Sequence, residues 1–380
     1  MTDGIDGSRG SARSSREELA RSEDIVSLEG QQDAARDPTA PLSDRRLDPG
    51  APLALVCRAL TGPSGLRVEH RTSLPLAPHE VRLRVDACGV NYADVLIVKG
   101  QYQERPPLPF TPGAEVCGTI VERGDAVTAW QPGDRVVAIV PQGGFAELAV
   151  ADGALVFPVP EGVDAVQAAA LPIAYGTAHG ALLWRAALKV GETLLVLGAA
   201  GGVGLAAVEV GHALGARVIA AASSKERVDL ALSRGADAGI DYSREDLRER
   251  IKSLTGGRGI DVLFDPLGGP LFEPALRSLA WKGRAIVIGF AGGSIPKIAA
   301  NLLLVKNISV LGLHWGAYLR REPEAIRAQL ADLFGWLAAG RLDPHVTATY
   351  PLEGAAEALA ALEERRAIGK LVVVPHRRVS

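Results

Sequence analysis

Among the 380 residues, the turn Gly198-Ala199-Ala200-Gly201-Gly202-Val203-Gly204 carries the plainest chemical signal. It follows the apolar run Thr193 to Leu197 and leads into LAAVEVGHALGA, an apolar segment with helical character. A glycine-rich turn between a strand and a helix leaves backbone N–H groups facing outward at a helix N-terminus, which suits phosphate oxygens. In the GxGxxG register the three places fall on Ala199, Gly201 and Gly204. Gly201 would let the backbone approach a pyrophosphate, and Gly204 would let the helix pack on the strand. Dinucleotide binding is the reading these residues support; a structural turn without a ligand is the alternative.

The end of the next strand bears on which dinucleotide. An Asp or Glu at that tip would bind both ribose hydroxyls and repel a 2′-phosphate. Here RVIAA runs into Ala222-Ser223-Ser224-Lys225-Glu226-Arg227, which offers hydroxyls and two basic side chains. Ammonium and guanidinium groups suit a phosphate dianion, so NADPH is expected rather than NADH. For Lys225 or Arg227 taken singly, a solvated first helical turn is the competing explanation.

A third stretch, Ala87-Cys88-Gly89-Val90-Asn91-Tyr92-Ala93-Asp94, contains one of three cysteines. Cys57, Cys88 and Cys117 are odd in number and far apart, with no CxxC spacing. Neither a disulfide framework nor a zinc knuckle follows, and three small buried hydrophobes are expected.

These groups need elements to hold them. Hydrophobic residues make up 47% of the chain and charged residues 22%, a globular mixture long enough for two cores. Formal net charge is −3, without the basic block of a nucleic-acid binder. No apolar run has the length of a membrane span, and the first residues lack the apolar core of a secretory signal, so a soluble cytoplasmic protein is expected. Residues 1–50 hold eleven Asp or Glu and seven Arg with few apolar residues, and read as a disordered tail. From Leu53 short β-rich segments follow, among them EVRLRVDACGV, EVCGTIVERG and DRVVAIV, broken by turns such as Pro132-Gly133-Asp134. After about Ala170 strands alternate with helices, which implies a parallel sheet with right-handed crossovers. Past His314 come a helix, a strand, a helix and the terminal strand KLVVVP, and either unit could receive them.

GVNYADVLIVKGQY, PFTPGAEVCGTIVERG, QPGDRVVA, GGFAELAV, ALPIAYGTAHGAL, LGAAGGVGLAAVEVGHALGA and GIDYSREDLRERIKSLTGGRGIDVLFDPLGG together cover nearly all of the chain beyond its first fifty residues. From about Leu53 to Pro375 the sequence resembles the zinc-independent quinone oxidoreductases of the medium-chain dehydrogenase/reductase superfamily, zeta-crystallin among them. The resemblance implies an α/β fold: a GroES-like β-rich catalytic domain plus a Rossmann doubly wound parallel-sheet domain, with NADPH in the cleft. It places the catalytic domain at 51–172 and 314–380 and the Rossmann domain at 173–313. It further implies that Gly202 and Val203 contact the pyrophosphate and that Ser223, Arg227 and Tyr242 surround the 2′-phosphate, with Arg227 ranked above Lys225. Asn91 and Tyr102 would lie near the nicotinamide and the substrate, and Thr177, Gly289, Phe290, Trp315 and Lys370 would line the cleft. Packing roles are the alternative for each of these. Leu96 and Leu313 stand where some members have a tyrosine and an arginine, positions that bear on the acceptor.

Zinc-dependent relatives carry a Cys-His pair and a later His-Glu pair where this chain has Asn91-Tyr92 and Ala114-Glu115. Without those ligands a Lewis acid for alcohol oxidation is not expected. The resemblance implies instead that NADPH reduces a quinone or, alternatively, the β-carbon of an enoyl or acrylyl-CoA-type alkene. A non-catalytic NADPH-binding role, as in crystallins, is a third possibility. Tyr102 could protonate or hydrogen-bond an oxygen that gains charge, with solvent as the other proton source. The family commonly dimerises through Rossmann sheet edges, and the apolar run Asn301 to Leu313 could supply such an edge strand or an interior one.

Overall fold

The computed structural model describes residues 50–72 and 75–376. Apart from Gly50, the expected tail over 1–50 lies outside the described residues. Two sheets organise the rest.

The first sheet has six strands, all parallel, in the order Ala238–Asp241, Arg217–Ala222, Thr193–Leu197, Ile260–Asp265, Leu279–Val287, Ser309–Gly312. Its inner strands are apolar runs rather than alternating ones: Thr193–Leu197 is buried throughout and Arg217–Ala222 in five of six residues. That is what a sheet covered by helices on both faces requires. Asp246 and Ser224 cap two of the crossover helices by accepting from the Glu249 and Arg227 N–H groups. Chain order reverses at Thr193–Leu197, whose neighbours are the next strand of the chain, Arg217–Ala222, and the third after it, Ile260–Asp265. Ligands of such sheets bind at the carboxyl end of that strand.

The second sheet has seven strands and is mostly antiparallel, running Val346–Tyr350, Lys370–Val373, Glu80–Val90, Glu115–Arg123, Arg135–Ile139, Val156–Pro158, with Leu148–Asp152 also paired to Glu80–Val90. The last part of the chain therefore joins this sheet. Leu371 sits opposite Val90, which sets Lys370 beside Asn91.

The sheets meet at a small bridge. Gly201 pairs with Gly369, and the Gly369 N–H donates to the Ala200 carbonyl at 2.8 Å. Gly369 has φ 62°, and a Cβ there would fall 2.5 Å from the His345 carbonyl oxygen, so only glycine fits. One apolar core, from Ala87 and Cys117 through Tyr175 to Val196 and Val218, runs beneath both sheets.

The run Asn301 to Leu313 is not a single strand. Ala300–Lys306 is helical and Ser309–Gly312 alone is the edge strand, because Asn307 takes a left-handed φ of 51° that ends the helix.

Candidate functional site

The glycine turn ends the strand Thr193–Leu197 and opens the helix Gly202–Ala213, whose N-terminus no side-chain oxygen caps. Its first N–H groups are therefore free for an anion, and the helix dipole favours one. A Cβ on Gly204 would sit 2.2 Å from the Gly198 carbonyl oxygen, so this helix reaches the strand only because residue 204 is glycine. A Cβ on Gly202 would meet the Lys370 stem at 3.1 Å.

At the tips of the next two strands, Ser223, Arg227 and Tyr242 come together. The Tyr242 phenol hydrogen-bonds Ser223 and lies within electrostatic range of Arg227 and Arg365. Burial pushes its pKa up, against the opposing pull of the Ser223 bond and the two guanidiniums. Arg227 donates to the carbonyls of Arg365 at 2.8 Å and Ala367 at 3.1 Å, which fixes its guanidinium at this spot. Arg365 in turn donates to the Ala291 carbonyl at 2.9 Å. Sequence reasoning missed Arg365, which lies in the turn between Ala355–Glu363 and Lys370–Val373. Ser224 is occupied as a helix cap. Lys225 stands apart: its side chain is 77% exposed and paired with Asp229.

Asn91, Glu115 and Lys370 form a compact polar group. Lys370 Nζ donates to Asn91 Oδ1 and Glu115 Oε1, each at 2.8 Å, and to the Val90 carbonyl at 3.1 Å. Asn91 Nδ2 donates to Glu115 Oε1 at 2.7 Å, and the Ile173 N–H donates to Glu115 Oε2 at 2.8 Å. Side-chain exposure is 4% for Lys370 and 0% for Glu115, while Asn91 is half-buried. With all three N–H groups committed, Lys370 meets the glycine turn through its methylene stem and not through its charge. Asp94 completes the group by accepting from the Asn91 and Gly113 N–H groups at 2.9 and 3.2 Å. Burial raises its pKa to about 7 against those two bonds, with Glu115 adding to the rise and Lys370 opposing it.

The remaining candidates line the same region unevenly. Tyr102 is half-buried, and burial, then Glu104 and Asp94, raise its pKa, which places the phenol within range of the Asp94 carboxyl. Its loop is tied by Glu104 to Arg320 at 2.9 Å. On the buried helix Pro172–His179 only Ile173 and Thr177, one turn apart, are partly exposed, so Thr177 belongs to the face Glu115 anchors. Trp315 is buried against Gly176 and spends its indole N–H on Gln329 Oε1 at 2.8 Å, which leaves only the ring to meet a ligand. Gly289 and the exposed Phe290 follow the strand Leu279–Val287 at the carboxyl end of the sheet.

Two family models match the chain: zinc-binding dehydrogenase over residues 202–333 and the alcohol dehydrogenase GroES-like domain over residues 77–161. Quinone oxidoreductase-like protein 2 of Bos taurus is 43% identical over 321 residues, 84% of this chain and 91% of its own length. The chain belongs to the zeta-crystallin-like quinone oxidoreductase family of the medium-chain dehydrogenases/reductases. Human quinone oxidoreductase is 35% identical over 299 residues, 78% of this chain and 89% of its own. Escherichia coli quinone oxidoreductase, solved in complex with NADPH, superposes with a TM-score of 0.80 at 29% identity, covering 85% of this chain and 100% of that one. The GroES-like and Rossmann architecture expected for this family is the one observed.

Despite the name of one matching model, zinc does not fit the group at Asn91 in this family member. Both Glu115 oxygens are engaged, and a buried ammonium 2.8 Å from the carboxylate would repel a dication. Asn91, Tyr92 and Ala114 supply neither thiolate nor imidazole. Among the described residues no group of three or more His, Cys, Asp or Glu is placed to hold a metal ion. A recess of about 560 Å³ at the C-terminal end of Gly202–Ala213 shares no residue with the group and is lined by Glu209, Arg234 and Asp343, which already pair with one another.

Proposed function

We propose that this protein is an NADPH-dependent, zinc-independent oxidoreductase that reduces a quinone. The observation that carries the reading is the bridge from Gly201 to Gly369. It sets the uncapped helix N-terminus directly beside the Lys370, Asn91 and Glu115 group, so a dinucleotide laid on the turn would end near Asn91. NADPH-bound relatives support the cofactor, as do Ser223, Arg227, Tyr242 and Arg365, which together offer hydroxyls and two guanidiniums to a 2′-phosphate. When bound, NADPH supplies a hydride.

The residues of this chain do the rest. Gly201, Gly202 and Val203 receive the pyrophosphate, Thr177, Gly289 and Phe290 wall the cleft, and Asn91 and Tyr102 meet the acceptor. A quinone takes up two electrons and one proton as hydride and a second proton from Tyr102 or solvent, giving a hydroquinone. We take the catalytic unit to be 51–172 with 314–380 and the dinucleotide unit to be 173–313.

A homodimer belongs to the same reading. The edge strand Ser309–Gly312 is flanked by a helix whose Leu304 and Val305 are 78% and 65% exposed, an apolar surface suited to a second copy. The three buried, free cysteines suit the reducing cytoplasm, and no helix among the described residues is long and apolar enough to cross a membrane. The deciding experiment follows absorbance of NADPH with 1,4-benzoquinone and with an α,β-unsaturated ketone. Turnover of the quinone supports the proposal, and turnover of the ketone alone replaces it with an alkene reductase. Tight NADPH binding without turnover of either points to a non-catalytic binding protein. Light scattering at the mass of two chains tests the dimer.

A further inference from the structure

The amide of Asn91 cannot choose its orientation. A lysine ammonium only donates and a carboxylate only accepts, so the carboxamide oxygen must face Lys370 and the nitrogen must face Glu115, as observed. The bond from the ammonium to Oδ1 is charge-assisted and draws electron density toward the amide oxygen. That makes the amide N–H groups stronger donors. One of the two is spent on Glu115; the other has no partner among the described residues. Lys370 and Glu115 are buried and Asn91 is the half-exposed member, so the amide is the part of this group that a ligand can reach.

We propose that Lys370 and Glu115 are positioning residues that present this N–H of Asn91 to an acceptor carbonyl oxygen, where negative charge develops as the ring is reduced. The inference rests on the quinone reading and gives it a site. Hydride brings two electrons and one proton to the quinone, solvent or Tyr102 brings the second proton, and Asn91 keeps both of its own. The buried ammonium does here, through a neutral amide, the charge-stabilising work a metal ion does elsewhere. It touches neither cofactor nor acceptor, because its three N–H groups are already used.

Removing Lys370 or Glu115 alone strands a buried charge and endangers the fold, so the test pairs Lys370→Met with Glu115→Gln, a neutral combination of similar volume. The introduced glutamine both donates and accepts, so the Asn91 amide is no longer forced. With NADPH and 1,4-benzoquinone, Asn91→Ala should lower kcat about 100-fold and the paired variant about 10-fold or more. The NADPH dissociation constant of the paired variant, read by fluorescence, should not move. The triple variant should fall no lower than Asn91→Ala, since the pair acts through that amide. Wild-type kcat in the paired variant, or a triple variant in which the two losses multiply, would overturn the proposal.

A second readout needs no turnover. In ¹⁵N spectra the Asn91 carboxamide nitrogen should move upfield in the paired variant as its polarisation is lost, and an unmoved signal would also overturn the proposal. If the wild-type protein reduces neither quinone nor enone, the functional reading fails while the NMR result still decides the positioning role.

Discussion

At the proposed phosphate end of the cleft the groups offered to a ligand are backbone N–H groups within one turn, Gly198 to Gly204. At the other end three side chains from three segments, with Asn91 and Lys370 279 residues apart, complete one another's hydrogen bonds. The turn asks only for the absence of side chains and leaves its donors open. The Asn91 group asks for opposite charges to be present together and leaves one donor open. The first arrangement should therefore fail by steric conflict, and the second by uncompensated charge.

The largest effect should come from breaking the charge pair. Glu115→Ala leaves the Lys370 ammonium buried and removes the acceptor of the Ile173 N–H, so denaturant unfolding should show a loss of roughly 3–5 kcal/mol. A loss below about 1 kcal/mol would mean that water reaches the group, and the contrast between the two ends would weaken.

Asp94 tests the same end through pH. Its native pKa of about 7 lies above the value near 3.9 of an unfolded chain. Between those values the native state holds a proton that the unfolded chain has lost, so this group's contribution to stability is fully present below about pH 4 and falls as pH rises through about 7. An asparagine in its place cannot titrate. Relative to wild type, Asp94→Asn should therefore gain stability between pH 4 and pH 8, on the order of 3–4 kcal/mol by calorimetry. A flat difference would show that the carboxyl is ionised in the native state and that burial does not dominate there.

How much of this could be read from the sequence follows the same division. The glycine turn and the bend Pro132-Gly133-Asp134, where Gly133 takes φ 99°, are set by neighbours in sequence, and both are legible. Tyr242 enters only through its place in a resembling segment. The partnership of Lys370 with Asn91 depends on the strand Lys370–Val373 pairing with Glu80–Val90; the residue pattern leaves that last strand open, and only the resemblance places 314–380 with the catalytic domain. Glu115 was visible only as a residue in a metal ligand's place. Arg365 was not visible, since one arginine of an exposed turn looks like another until the fold sets it beside Tyr242. Of the run Asn301 to Leu313 only Ser309–Gly312 forms the edge strand, for a related reason: continuous apolar residues do not distinguish a strand from a helix packed at a sheet edge.

At the phosphate end the expected failure is steric. Gly204→Ala puts a methyl 2.2 Å from a backbone oxygen that has no room to retreat, which should cost about 1–3 kcal/mol and weaken NADPH binding as the helix lifts off its strand. A protein of unchanged stability and NADPH affinity would mean that the turn relaxes freely and is not the rigid cradle its geometry suggests.

The smallest effects separate two residues two positions apart. Arg227 is held toward Tyr242 by the carbonyls of Arg365 and Ala367, so Arg227→Glu should weaken NADPH at least about tenfold while leaving NADH nearly unaffected, because only NADPH carries the 2′-phosphate. Lys225 lies on the solvent side in an exposed i,i+4 pair with Asp229, an arrangement worth less than about 0.5 kcal/mol. Lys225→Ala should change neither stability nor the NADPH to NADH preference beyond that small margin. Both side chains follow the same strand tip and carry the same charge, so composition ranks them equally. If Lys225→Ala shifts the cofactor preference as much as Arg227→Glu, its ammonium leaves Asp229 when a phosphate arrives. Selectivity would then come from a mobile charge rather than from the fixed guanidinium.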